Sequence, residues 1–208
     1  MIDVAWTLFL VTSLVIIATP GQDMLLVMSR SIAQGPAAGV VTAAGVGTGL
    51  LGHTVLATLG LGAVLTASDW AFTVLKVVGA AYLVWLGIGL LRTRSATLEV
   101  TQGAPRSLTR LFADGALSNL SNPKIAVFYF AFLPQFVGHD AAHPTLAVAM
   151  LGTVFAVLTF AVKGPVGAGA GLLSTWLRRR PRVLVWVYRS SGAVMLGLGV
   201  RLLMERRS

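Results

Sequence analysis

The chain has 208 residues, of which 56% are hydrophobic and only 11% charged, with a net charge of +9 and no cysteine. At a mean hydropathy of +0.82 it carries too little charge to cover a soluble fold of this size. The missing cysteine excludes a disulfide framework, cysteine-ligated zinc and thiol redox chemistry. The positive charge does not point to nucleic acid. The basic residues fall between apolar runs, where they act as topology signals and meet lipid headgroups, and no aromatic-rich basic surface accompanies them.

Those runs are continuous rather than alternating, so the expected class is all-α integral membrane and not a β-barrel. A spanning helix needs about 20 apolar residues. Six segments meet that length: 4–30, 37–65, 70–91, 112–137, 145–176 and 185–204. The first lacks a basic leader and a small-residue cleavage site, so Val4 onward is expected to be a retained span and not a signal peptide.

The first span is interrupted by Pro20-Gly21-Gln22-Asp23. Proline removes a backbone donor and clashes with the preceding turn, and Gly21 is expected to supply backbone angles closed to other residues. Freed backbone groups are tolerated in hydrocarbon only where they line a cavity or are satisfied by protein. Asp23, just beyond the break, costs about 2.5–3.5 kcal/mol at mid-membrane. A carboxylate held there can take an ammonium group, a metal ion or a proton.

In the second span, Gly47–Gly52 reads GTGLLG, but a dinucleotide loop needs a preceding strand. Gly45, Gly49 and Gly52 are instead expected to allow close helix packing. His53 is either a packed side chain or a proton relay facing a cavity. After the third span comes a polar stretch, which divides the chain into a first three-helix unit (1–92), a cytoplasmic linker (93–110) and a second unit (111–208).

The fourth span is broken in turn, at Asn119, Asn122, Pro123 and Lys124. Lys124 lies about 21 Å along a helix from Arg110, near the bilayer middle. Its ammonium, or the backbone freed by Pro123, can receive a carboxylate, and the two asparagines supply donors and acceptors. The Ser-Asn-Pro-Lys run lacks the companion motifs of penicillin-binding enzymes, and the sequon at Asn119 lies in the membrane. Asp114 is expected at the inner interface, paired with Arg110. An anionic and a cationic site on two broken helices suit a small zwitterion such as an amino acid, although an internal Asp23–Lys124 ion pair that only fixes packing would also account for both charges.

His139, Asp140 and His143 before the fifth span read as a solvated outer loop rather than a metal site. Lys163 is expected close enough to the cytoplasmic face to snorkel. Pro165 is expected to kink the helix, and Gly167, Gly169 and Gly171 to pack closely. The last span, with Gly192–Leu203, shares an LGxG core with Gly79–Leu91. Three helices per half reverse the second half, so the expected fold is two inverted three-helix repeats with helices 1 and 4 broken.

Arg30, then Arg92, Arg94, Arg106 and Arg110, then Arg178, Arg179, Arg180 and Arg182 mark three basic loops. Asp69, Lys76 and the histidine loop mark the other side. The positive-inside rule then places both termini outside, against the pull of Arg201, Arg206 and Arg207.

The Pro-Gly-Gln-Asp break followed by MLLVMSRSIAQG, then FADGALSNLSNPKIAVFYFAFLPQFV and RSSGAVMLGLGVRLL, resembles the LysE/RhtB family of amino-acid exporters across essentially the whole chain. The resemblance implies a bacterial inner-membrane exporter of amino acids or related metabolites, driven by the proton gradient. It carries over to Pro20, Gly21, Asp23, Asn122, Pro123 and Lys124. Members often read Pro-Gly-Pro-Asn at the first break, so Gln22 and Asp23 put the substrate in question. Asp23, with His53 as a relay, is the expected proton-coupling group. The partners are then a zwitterionic substrate, protons and lipid, with no cofactor, and the small-residue faces allow a homodimer. Two other classes remain open: a divalent metal-ion exporter using Asp23, Asn122 and His53, and a non-transporting membrane scaffold. An enzyme is not expected, because no nucleophile and base stand at useful spacing.

Overall fold

The structure is a computed structural model that describes residues 4–67, 69–94, 105–138 and 141–204. His139 and Asp140, residues 95–104 of the expected linker, and Arg206 and Arg207 lie outside the described residues. The regular structure among the described residues is helical, apart from one isolated bridge between Val4 and Val137.

The first apolar segment forms α1 (Trp6–Ala18) and α2 (Gln22–Gln34), bent by 51° at the break. It is followed by α3 (Pro36–Ala67) and α4 (Asp69–Leu91). The fourth segment is α5 (Leu108–Leu120) and the short α6 (Pro123–Val127), which runs on as a π-helical turn over Phe128–Phe132 and a 3-10 turn over Leu133–Phe136. The fifth is α7 (Pro144–Ala168) and α8 (Ala170–Arg178), and the sixth is α9 (Pro181–Met204).

Helices α3, α7 and α9 are each long and apolar enough to cross a membrane, and α1 with α2 makes a fourth span if the bent pair is counted as one. Helix α5 starts at Leu108, earlier than the apolar run, because the Ser107 hydroxyl accepts from the Arg110 amide and caps it. The fifth segment is not one helix: α7 runs through Pro165 and ends at Ala168, and α8 starts after Gly169.

The burial pattern departs from that of a soluble protein, with polar groups inside among the apolar core and large apolar groups on the surface. Thr12, Ser13, Asp23, Asn119, Thr159 and Lys163 are buried, whereas Trp70, Trp85, Trp186 and Leu172 are more than half exposed. An apolar solvent favours this arrangement, because it leaves polar groups nowhere to go but inward.

Helix pairs approach closely through glycine. Helix α3 runs antiparallel to α7, with Gly39 against the Gly167 backbone and Gly152 against Thr54. It runs parallel to α5, where a β-carbon on Gly45 would collide with the Phe112 carbonyl and one on Gly49 would lie 2.7 Å from the Ala116 carbonyl. The shared LGxG segments pack on one another in the antiparallel pair α4–α9, with Gly87 against Gly192 and Gly199 against the Ala80 carbonyl. Gly171 meets nothing and Gly169 only the Pro165 carbonyl, so the close packing expected in that stretch belongs to Gly167 alone.

The two broken segments lie antiparallel and are clipped at both ends. At one end the Ala5 amide donates to the Phe136 carbonyl at 2.9 Å. At the other, Gln34 donates to the Arg106 carbonyl at 2.8 Å and accepts from its amide at 3.0 Å. That second end also gathers the basic loops: Asp114 pairs with Arg30 at 3.6 Å, Arg110 at 3.3 Å and Arg106. Arg189 of α9 donates to the Thr93 carbonyl at 3.1 Å.

These contacts predict opposite outcomes for two Gly→Ala changes. Gly45→Ala should lower the thermal midpoint of the detergent-purified protein, because α3 and α5 must separate. Gly197→Ala, at a position with nothing within 4 Å, should leave it unchanged or raise stability by about 0.5–1 kcal/mol.

Candidate functional site

The two helix breaks face each other across a cavity of about 260 Å3. That is just below the ~300–1,000 Å3 of pockets for drug-sized ligands, which limits an occupant to something small. Its wall includes Pro20, Gly21, Gln22 and Asp23 from the first break and Asn119, Asn122, Pro123 and Lys124 from the second. All eight residues singled out at the two breaks are therefore brought together. Tyr82 and Leu86 of α4, Phe155, Thr159 and Lys163 of α7 and Met195 of α9 complete it.

The first break arises at Thr19–Gly21. Thr19 turns to extended backbone while its amide and hydroxyl both bond the Val15 carbonyl, and Pro20 cannot continue the ladder. Gly21 sits at φ −157°, extended backbone that other residues also adopt. The expected need for glycine angles is thus not met, and nothing in the structure explains the glycine itself. It has no side chain to cap α2, so the amides of the first turn lack an N-cap partner. The second break is an ordinary helix start: Asn122 caps α6 by accepting the Lys124 amide at 3.1 Å, and Pro123 occupies the first turn.

Each interrupted helix has a terminal carbonyl taken by a basic side chain from elsewhere. Lys124 Nζ donates to the Ile16 carbonyl at the end of α1, at 3.2 Å. His53 Nε2 lies 3.2 Å from the Asn119 carbonyl at the end of α5. Cations and donors are favoured at these negative helix ends.

Asp23 is 3% exposed. Its Oδ2 accepts from Asn119 Nδ2 at 2.8 Å and from Lys163 Nζ at 3.3 Å, joining α2, α5 and α7. Its Oδ1 and the Asn119 Oδ1 are buried and have no partner.

The expected snorkelling position of Lys163 is overturned. It is 6% exposed and points into the protein. The cause is helical register: Phe155, Thr159, Lys163 and Gly167 stand four apart on one buried stripe of α7. That spacing was the available signal. The Asp23–Lys124 ion pair, kept as a packing alternative, is not formed, because Asp23 turns to Lys163. His53 is not part of the cavity wall. It stands behind Asn119, stacked on Tyr129 with centroids 5.5 Å apart. His143 precedes α7 at its N-cap position without making a side-chain cap.

The molecule is thus an all-helical membrane protein with a small charged cavity where two interrupted helices meet. The family described as LysE type translocator matches residues 14–206, and the chain belongs to that family. It is 33% identical over 204 residues to a homoserine/homoserine lactone efflux protein of Salmonella typhimurium, covering 98% of each chain. It is 32% identical over 198 residues to an uncharacterized membrane protein of Vibrio cholerae, covering 95% of each. To a threonine efflux protein of Salmonella typhi it is 27% identical over 199 residues, covering 93% of this chain and 94% of the other. No solved structure matches it significantly.

The geometry predicts strong coupling between Asp23 and Lys163. Asp23→Asn strands a buried ammonium and should cost about 3–5 kcal/mol. Adding Lys163→Gln should recover much of that loss. A double-mutant cycle on thermal unfolding in detergent checks it, and additive effects of the two changes would dissolve the pair.

Proposed function

We propose that this protein exports amino acids or related small metabolites across the bacterial cytoplasmic membrane by proton antiport. The observation that carries the reading is the charge arrangement of the cavity. The carboxylate of Asp23, the side-chain amides of Asn119 and Asn122 and the amine of Lys124 belong to the wall of one small cavity. This is the complement of a zwitterion. Asp23 receives the substrate ammonium. Lys124 and the uncapped first-turn amides of α2 meet its carboxylate. Gln22, Asn122 and the Pro20-Gly21 and Pro123 breaks shape the backbone around it. The efflux proteins among its relatives support the same reading.

The fold behind this function is six spanning segments in two inverted three-helix repeats, residues 1–92 and 111–208 joined by a cytoplasmic linker. Its support is that each segment packs antiparallel to its counterpart in the other half. The first and fourth are clipped at both ends, α3 lies on α7, and α4 lies on α9. With the clustered arginines on the cytoplasmic side, both termini are outside. Alternating access then proceeds around the two breaks. The coupling proton uses Asp23, the carboxylate of the cavity, with His53 behind Asn119 as its relay.

The test is release of radiolabelled homoserine and threonine from preloaded proteoliposomes, with and without an imposed pH gradient. Wild type should release at least one of them in a gradient-dependent way. Folded Asp23→Asn and Lys124→Ala should each be slower by about tenfold or more, the loss expected for a charge-assisted hydrogen bond. Release that ignores the gradient would remove proton antiport. Release no faster than from empty vesicles would remove the exporter.

A further inference from the structure

Lys163 is a buried cation that the zwitterion site does not call for. Its Nζ lies 3.3 Å from Asp23 Oδ2, and its side chain is 7% exposed. Among the described residues lining the cavity, the charged groups are Asp23, Lys124 and Lys163, so two ammonium groups face one carboxylate. We propose that Lys163 is a specificity-determining residue, which admits amino acids with uncharged side chains and refuses lysine and arginine. This deepens the exporter reading and rests on it.

The argument is a balance of charges in a site of low dielectric. Asp23 uses one oxygen for Asn119 and Lys163 and keeps the other free. A zwitterion brings one ammonium to the free oxygen and one carboxylate to Lys124. The site then holds three ammonium groups and two carboxylates, each charge beside an opposite one. A basic amino acid brings a further ammonium and no further carboxylate. In a cavity of about 260 Å3 that charge adds to the two lysines already present, and like charges repel more in such a partly desolvated site than in water.

Lys163 is held in place by its contact with Asp23. The buried stripe of α7 aims it inward, and the turn after it is fixed, because Gly167 abuts Gly39 and its carbonyl accepts from the Ser31 hydroxyl. The lysine therefore acts as a resident ammonium at the spot that a second substrate ammonium would need. With Lys163 uncharged, Asp23 has its whole charge to offer, and a side-chain ammonium can take the vacated position.

The experiment is competitive release from proteoliposomes co-loaded with labelled threonine and labelled lysine. Wild type should favour threonine by at least about tenfold. Lys163→Gln should shift the threonine-to-lysine ratio toward lysine by about tenfold or more, and Lys163→Arg should keep the wild-type ratio. A purely structural lysine would change total release without moving the ratio. Wild type releasing lysine as fast as threonine would overturn the proposal, and that measurement does not depend on how well Lys163→Gln folds. An unchanged ratio in folded Lys163→Gln would overturn it as well. Release of neither amino acid from folded wild type would instead remove the exporter reading beneath it, a result distinct from release of both.

Discussion

A carboxylate in hydrocarbon must be matched, and the arrangement around Asp23 follows from that requirement. Its Oδ2 draws Asn119 from α5 and Lys163 from α7, so three helices distant in sequence converge on one oxygen. Buried charges persist only with opposite charges and hydrogen bonds at close range. The convergence ties the start of α2 to α5 and to the inward face of α7. The cavity is the space left over when those demands are met with two interrupted helices in place of continuous ones.

Elsewhere the fold holds together by contact rather than charge. Helices surrounded by lipid gain little from burying leucine, since lipid tails are equally apolar. Their association depends on how closely the backbones can approach. Gly39 with Gly167, Gly45 with Phe112 and Gly87 with Gly192 supply that approach along three helix pairs. Several large apolar residues also point outward, among them Trp85 and Trp186. The aromatic residues that do face inward gather around the second broken segment, where Phe128 lies 4.5 Å from Phe155 between ring centroids and Phe9 lies 5.3 Å from Phe136.

Much of this was legible in the sequence. Proline beside a charge inside an apolar run marked both breaks, whose eight residues meet at one cavity, although α7 runs on through Pro165 beside Lys163. The glycine-lined face of α3 was legible for the same reason: its spacing matches one side of a helix. What was not legible was which charge meets which. Asp23 and Lys124 were natural partners by position in their halves, yet the register of α7 delivers Lys163 to Asp23, and the open carbonyl of Ile16 draws Lys124 away. Distance along a helix from its presumed entry point placed Lys163 at a membrane face. Rotation about the helix axis, set by the stripe from Phe155 to Gly167, placed it inside. The Gly21 conformation misled in a simpler way, because an extended residue and a left-handed one look alike in a Pro-Gly pair.

The clips at the two ends of the broken segments have a mechanical consequence. Two rods tied together at both tips cannot slide lengthwise past each other without breaking a tie. They can still bow apart in the middle, provided that each has a joint there. The ties are the Ala5–Phe136 and Gln34–Arg106 hydrogen bonds, and the joints are Thr19–Gly21 and Ser121–Asn122. With its tips held, the pair can flex only at its joints beside the cavity, so a wider opening requires either the release of one tie or the displacement of the helices packed around the pair.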